Sequence, residues 1–99
     1  MMLSEIQQSV QTQMDRDWKG YDFGDKVTIT VLGLAEEVGE VAGLLRRVQR
    51  DPFSVPDERW LDEVGDVLWY LVAACNMLGM DLDTVWENNC RKLRERYGD

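Results

Sequence analysis

Residues 25–50 read DKVTITVLGLAEEVGEVAGLLRRVQR, and two structures compete for them. Val27-Thr28-Ile29-Thr30-Val31 alternates as a half-buried strand does. The longer pattern is helical. Val27, Val31, Leu34, Val38, Val41, Leu45 and Val48 step by 4, 3, 4, 3, 4 and 3, the recurrence of one helix face. A period sustained across the whole segment outweighs a short run of β propensity, so one helix is predicted from about residue 25 to 50.

The flanking segments take the same form. In residues 4–18, Ser4 and Gln7 have capping-box spacing, and Ile6, Val10, Met14 and Trp18 recur every four residues. Gly20 and Gly24 break the chain before the second helix, and Pro52 and Pro56 break it after. The third helix, about 56–78, carries a broad apolar face of Trp60, Val64, Val67, Leu68, Leu71, Ala74, Cys75 and Leu78, with Trp69 nearly opposite Trp60. A helix this apolar is buried on more than one side, which 99 residues can hardly arrange alone, so an oligomer is expected. Gly79 suits the end of that helix, and Asp81 or Asp83 the cap of a fourth reaching about Tyr97. Its predicted inner stripe is Leu82, Val85, Trp86, Leu93 and Tyr97. The expected architecture is all-α: one domain over residues 1–99, of the four-helix-bundle type.

Composition narrows the chemistry. The chain has no histidine, which removes imidazole general bases, triads and the commonest zinc and di-iron ligand sets. Cys75 and Cys90 are too few for a disulfide framework or a zinc cluster, so a reducing cytoplasm is the expected location. With 19 acids against 11 bases the net charge is −8, which repels nucleic acid and anionic membranes. No apolar run has the length of a membrane span, and the start of the chain has no signal-peptide pattern. The chemistry that remains belongs to carboxylates.

Those carboxylates are patterned. At 100° per residue the seam of the second helix centres on Val38 and Leu45. Glu37 and Glu40 lie on one flank of it at i,i+3, sharing a stripe with Gly33 and Leu44, and Glu36 lies further round. On the third helix Glu63 and Asp66 repeat the i,i+3 spacing, in a stripe with Arg59, Tyr70, Ala73 and Met77. Each close pair among four gathered carboxylates repels by roughly 4 kcal/mol at an effective dielectric of about 20. Such a group takes up protons or recruits a cation, and oxygen-only donors favour Mg²⁺ or Mn²⁺. The competing reading is two ordinary solvated helix faces, partly offset by Arg46, Arg47 and Arg59. Helical di-iron sites need a Glu-x-x-His spacing that this chain cannot supply.

Three further features stand out. Asn89 interrupts the apolar stripe of the fourth helix, either as a ligand contact or as a register-setting core amide. Lys92 and Arg96 follow it along one edge of that helix, where they also answer the helix dipole. Trp18 ends the first helix beside a glycine-bearing loop, and reads as core or as a stacking platform for a planar ligand.

Gly33-Leu34-Ala35-Glu36-Glu37-Val38-Gly39-Glu40-Val41, then Glu63-Val64-Gly65-Asp66-Val67-Leu68-Trp69-Tyr70, with 22 residues between Glu40 and Glu63, resembles the MazG-like all-α nucleotide pyrophosphohydrolases, whose signature is Glu-Glu-x-x-Glu and then Glu-x-x-Asp. Asn89-Cys90-Arg91-Lys92, running on to Arg96-Tyr97, is similar to the family's C-terminal motif, and Arg16-Asp17-Trp18 to the first helix of some members. The resemblance implies Mg²⁺-dependent cleavage of a nucleoside triphosphate between the α and β phosphates, in dimers or tetramers. It implies Glu37, Glu40, Glu63 and Asp66 as metal ligands, with Mn²⁺ a substitute ion, and Glu36 as a further carboxylate or base. Arg59, Lys92 and Arg96 then contact phosphates, Asn89 and Tyr70 the sugar or phosphate, and Trp18 the base. Where some pyrimidine-preferring relatives have a Phe-Gln-Trp-like segment, this chain has Leu44-Leu45-Arg46-Arg47. Asp25-Lys26 and Gly98 also depart from the family pattern, so the base preference stays open. The alternative function is a non-catalytic helical module that binds a nucleotide or metal for regulation or assembly.

Overall fold

Residues 27–31 lie well inside a 28-residue helix in the computed structural model, which describes residues 1–98. The helices are α1 (Leu3–Asp17), α2 (Phe23–Arg50), α3 (Asp57–Met77) and α4 (Leu82–Tyr97), with no strand among the described residues. Each bound falls within two residues of its expected place. Among those residues no helix is long and apolar enough to cross a membrane, and Cys75 and Cys90 are free thiols.

The helix ends follow local chemistry, with two corrections. The Asp22 carboxylate accepts from the Asp25 N–H at 2.8 Å and caps α2. Gly79 takes a left-handed φ of 67°. That turns the Met80 N–H back to the Cys75 carbonyl at 2.9 Å and the Gly79 N–H to that of Asn76 at 3.2 Å, closing α3. At the start of α1 the expected Ser4–Gln7 box does not form. Glu5 accepts from the Met2 N–H instead, at 3.1 Å. Gln7 is engaged elsewhere: its Nε2 donates to Asn76 Oδ1 and to the Met80 carbonyl, both at 2.9 Å. Its Oε1 accepts from the Leu82 N–H at 2.9 Å, so the first amide of α4 is satisfied by α1. Asp81 holds the N-cap position but makes no side-chain cap bond.

By its contacts the chain divides into two compact units. One comprises Met1–Lys19 and the chain from Val72 onward, so it holds α1, the end of α3 and α4. Val10, Met14 and Trp18 are buried there as the four-residue period of α1 predicts, and so are Val72 and Ala73. The expected inner stripe of α4 is not inner. Leu82 is half-buried, while Val85, Trp86, Leu93 and Tyr97 are exposed and α4 has no buried residue.

The other unit, Gly20–Leu71, holds α2 and most of α3. The two helices run antiparallel, since Gly33 lies against Tyr70 while Glu37, further along α2, meets Asp66 and Glu63, further back along α3. Here the structure corrects the expected inward face. Val38 and Leu45, the centre of the predicted seam, are 50% and 59% exposed, whereas Thr30 and Leu44 are buried. The face that α2 turns inward is the flank about 100° away, the one bearing Gly33 and Glu37. On α3, likewise, Glu63 of the acidic stripe is buried while Val64, Leu68 and Leu71 of the apolar face are exposed. Periodicity reveals a stripe but not what covers it, and among the described residues Val38, Leu45, Val64, Leu68 and Leu71 of the predicted apolar faces stay exposed.

Candidate functional site

The inward flanks carry the acids. Glu37 of α2 and Glu63 and Asp66 of α3 each offer one carboxylate oxygen, and these three atoms lie within 4.8 Å of one another. The i,i+3 spacing puts Glu63 and Asp66 on one face of α3, and the antiparallel register brings Glu37 opposite. Glu63 is only 8% exposed, Glu37 is half-buried and Asp66 is exposed, so the group opens to solvent on one side.

Negative charge here is under-compensated. Arg59 Nη2 reaches Glu63 Oε1 at 3.4 Å, one turn along α3, while Glu37 and Asp66 have no ion pair among the described residues. Burial, then the charges of Asp66, Glu63, Glu36 and Glu40, hold the Glu37 carboxyl above the ordinary glutamate range. Burial and the carboxylates of Glu37, Glu36 and Asp66 also push the Tyr70 phenol upward. It therefore stays a protonated O–H donor beside the acids. A buried carboxylate with a single long ion pair, and a neighbour that resists ionisation, form a donor set suited to a hard divalent cation.

The other residues expected at the site divide between the two units. Glu40 is exposed on α2 and lies outside the three-acid group; Glu36 is exposed too. Arg59 and Tyr70 share the unit of the acids. Trp18, Asn89, Lys92 and Arg96 belong to the other unit: Trp18 buried at the end of α1, Asn89 half-buried on α4, Lys92 and Arg96 exposed. Gly33 was visible in the sequence as a member of the Glu37 stripe. Its close approach to Tyr70 depends on a distance between helices that no local pattern encodes.

Comparison with known proteins gives one family match and one relative. The MazG nucleotide pyrophosphohydrolase domain matches residues 25–99. The gene 37 protein of Mycobacterium phage L5 is 34% identical over 74 residues, covering 71% of this chain and 65% of the phage protein. This chain therefore spans just under two thirds of that relative's length. No solved structure is matched.

The raised Glu37 carboxyl has a signed consequence for stability. A folded-state value above the unfolded one favours the protonated form in the fold, so this contribution is present at low pH and lost as pH rises through the raised value. Without divalent ions, the melting temperature should fall as pH rises from the ordinary glutamate range toward neutrality. Glu37→Gln should flatten that fall. Equal slopes for the two proteins, measured by thermal melting in chelator-treated buffer, would count against the carboxylate coupling.

Proposed function

The chain belongs to the MazG nucleotide pyrophosphohydrolase family, and on that premise we propose that it hydrolyses nucleoside triphosphates between the α and β phosphates in a Mg²⁺-dependent reaction. The products are a nucleoside monophosphate and pyrophosphate. The observation that carries this reading is the meeting of Glu37, Glu63 and Asp66, three acids of the family signature, at one point between α2 and α3. All 99 residues are read as one functional domain, acting in the cytoplasm on canonical or damaged (d)NTPs in nucleotide-pool housekeeping.

Glu37, Glu63 and Asp66 would hold the ion, with Glu40, exposed one turn beyond Glu37 and outside that group, as a fourth ligand. Bound there, Mg²⁺ (or Mn²⁺) supplies neutralisation of the triphosphate and a lowered pKa for the attacking water. Glu36 accepts the proton of the water that attacks the α phosphorus, and pyrophosphate departs with the electron pair of the broken P–O bond. Arg59 serves two acceptors, the Glu63 carboxylate and a phosphate oxygen, and Tyr70 donates its O–H to the sugar or phosphate. Lys92 and Arg96 bind phosphate, Asn89 the sugar or phosphate, and Trp18 the base. A net charge of −8 makes nucleic acid an unsuitable partner for the same surface.

The working form is a homo-oligomer, a dimer or tetramer. On α3 the exposed Leu61, Val64, Leu68 and Leu71 step by 3, 4 and 3, and on α2 the exposed Val31, Val38 and Leu45 step by 7 and 7. Those are the spacings of helix seams that pack against other helices. Such a surface on a small chain calls for a partner, and a second copy supplies the complementary seam.

Two measurements test these points. With Mg²⁺ and a panel of canonical, deoxy and oxidised NTPs, the protein should release pyrophosphate, and Asp66→Ala should lower the rate at least about 100-fold, as loss of a major electrostatic group does, with helix content unchanged. Orthophosphate release would overturn the α–β assignment. Ion binding without turnover of any nucleotide would favour the non-catalytic module. In sedimentation velocity the wild type should run as a dimer or tetramer and Leu68→Glu as smaller species; a monomeric wild type would reject the assembly.

A further inference from the structure

Gly33 stands one turn before Glu37 on the inward flank of α2. A Cβ added there would overlap Cε1 and Cζ of Tyr70 and stand 2.8 Å from its hydroxyl oxygen. Gly39, Gly43 and Gly65 would each project a Cβ into open space, and at Gly24 the nearest atom is the local Asp22 Oδ1 at 3.3 Å, so among the helical glycines only position 33 meets the side chain of another helix. A glycine inside a helix costs about 0.5–1 kcal/mol relative to alanine; at Gly33 the missing side chain admits an aromatic ring to the helix backbone. Tyr70 lies four residues beyond Asp66, one turn along the same face of α3. Its ring also stands edge-on to Trp69, with centroids 5.1 Å apart and planes at 79°. The ring contact therefore lies one turn from the acids on both helices.

We infer that Gly33 is a positioning residue for the carboxylate site, acting through Tyr70: the ring seated on the α2 backbone sets the separation at which Glu37 faces Glu63 and Asp66. This rests on the divalent-ion reading of those three acids. An alanine at 33 leaves two responses. Either the ring leaves its seat or α2 withdraws from α3, and both change the distance between Glu37 and its partners. Ion–ligand distances tolerate deviations of only about 0.2 Å, so a displacement that a helix pair absorbs easily is large for coordination. The hydroxyl is not needed for this role, because the overlapping atoms include two ring carbons.

The test is Mn²⁺ binding in the absence of nucleotide, followed by the electron paramagnetic resonance of free Mn²⁺, with far-ultraviolet circular dichroism to verify the helices. Gly33→Ala should weaken Mn²⁺ binding about tenfold, the size of an outer-shell effect. Tyr70→Phe, which keeps the ring, should stay within about twofold of the wild type, while Tyr70→Ala should bind as weakly as Gly33→Ala. Adding Gly33→Ala to Tyr70→Ala should then change little, as expected for two changes that remove one contact. Wild-type affinity in Gly33→Ala, or an equal loss from it in both backgrounds, would overturn the inference. If Gly33→Ala does not fold, the comparison of Tyr70→Phe with Tyr70→Ala decides it, and equal affinities overturn it. A wild type that binds no Mn²⁺ would overturn the carboxylate reading itself, and this inference with it, before any substitution is made.

Discussion

The mutual repulsion of Glu37, Glu63 and Asp66 is the constraint around which the second unit is arranged. With oxygens within 4.8 Å of one another, each fully ionised pair opposes the fold by roughly 3.5 kcal/mol at an effective dielectric of about 20, less where solvent screens Asp66. Arg59 answers part of this at Glu63. The remainder shows in the reluctance of Glu37 to ionise. A helix pair that served packing alone would turn its apolar seams inward and leave the acids in water. Here Val38, Leu45, Val64 and Leu68 stay exposed while Glu63 is buried and Glu37 half-buried, and that reversal is the structural reason to read the acids as a site.

Much of this could be read in the sequence. The 4-3 recurrence through residues 27–48 prevailed over the β propensity of Val27–Val31 because it extends over the whole helix. The i,i+3 acids were visible as flank residues, and the glycine and proline breaks placed the helix ends. Long-range geometry was not legible. Gln7 looked like the partner of Ser4 and instead joins α1 to Asn76, Met80 and Leu82 across more than sixty residues of chain. The inward face of α2 lies about one residue of rotation from the predicted seam, since hydrophobic periodicity does not specify which stripe is covered. Glu40 belongs to the same motif as Glu37, yet its carboxylate is absent from the three-acid group. Membership of a motif does not specify distance.

The composition takes on a clearer meaning from these positions. A chain of net charge −8 without histidine is poorly suited to hold a triphosphate by direct attraction. On the proposed reading, acids concentrated where a divalent ion would neutralise them would make the excess half of a phosphate site. The other half needs donors that remain donors among carboxylates. On the same reading Arg59 would be one, and Tyr70, whose phenol is held protonated by burial and by the same acids, another. The family match covers the region that bears all of them.

Diffraction from crystals grown with Mn²⁺, recorded near its absorption edge, tests the central claim most directly. The account predicts an anomalous peak between α2 and α3, with oxygens of Glu37, Glu63 and Asp66 about 2.1 Å away, as for a small hard cation. A map with no peak there, or with the three carboxylates turned apart into solvent around ordered water, would contradict it.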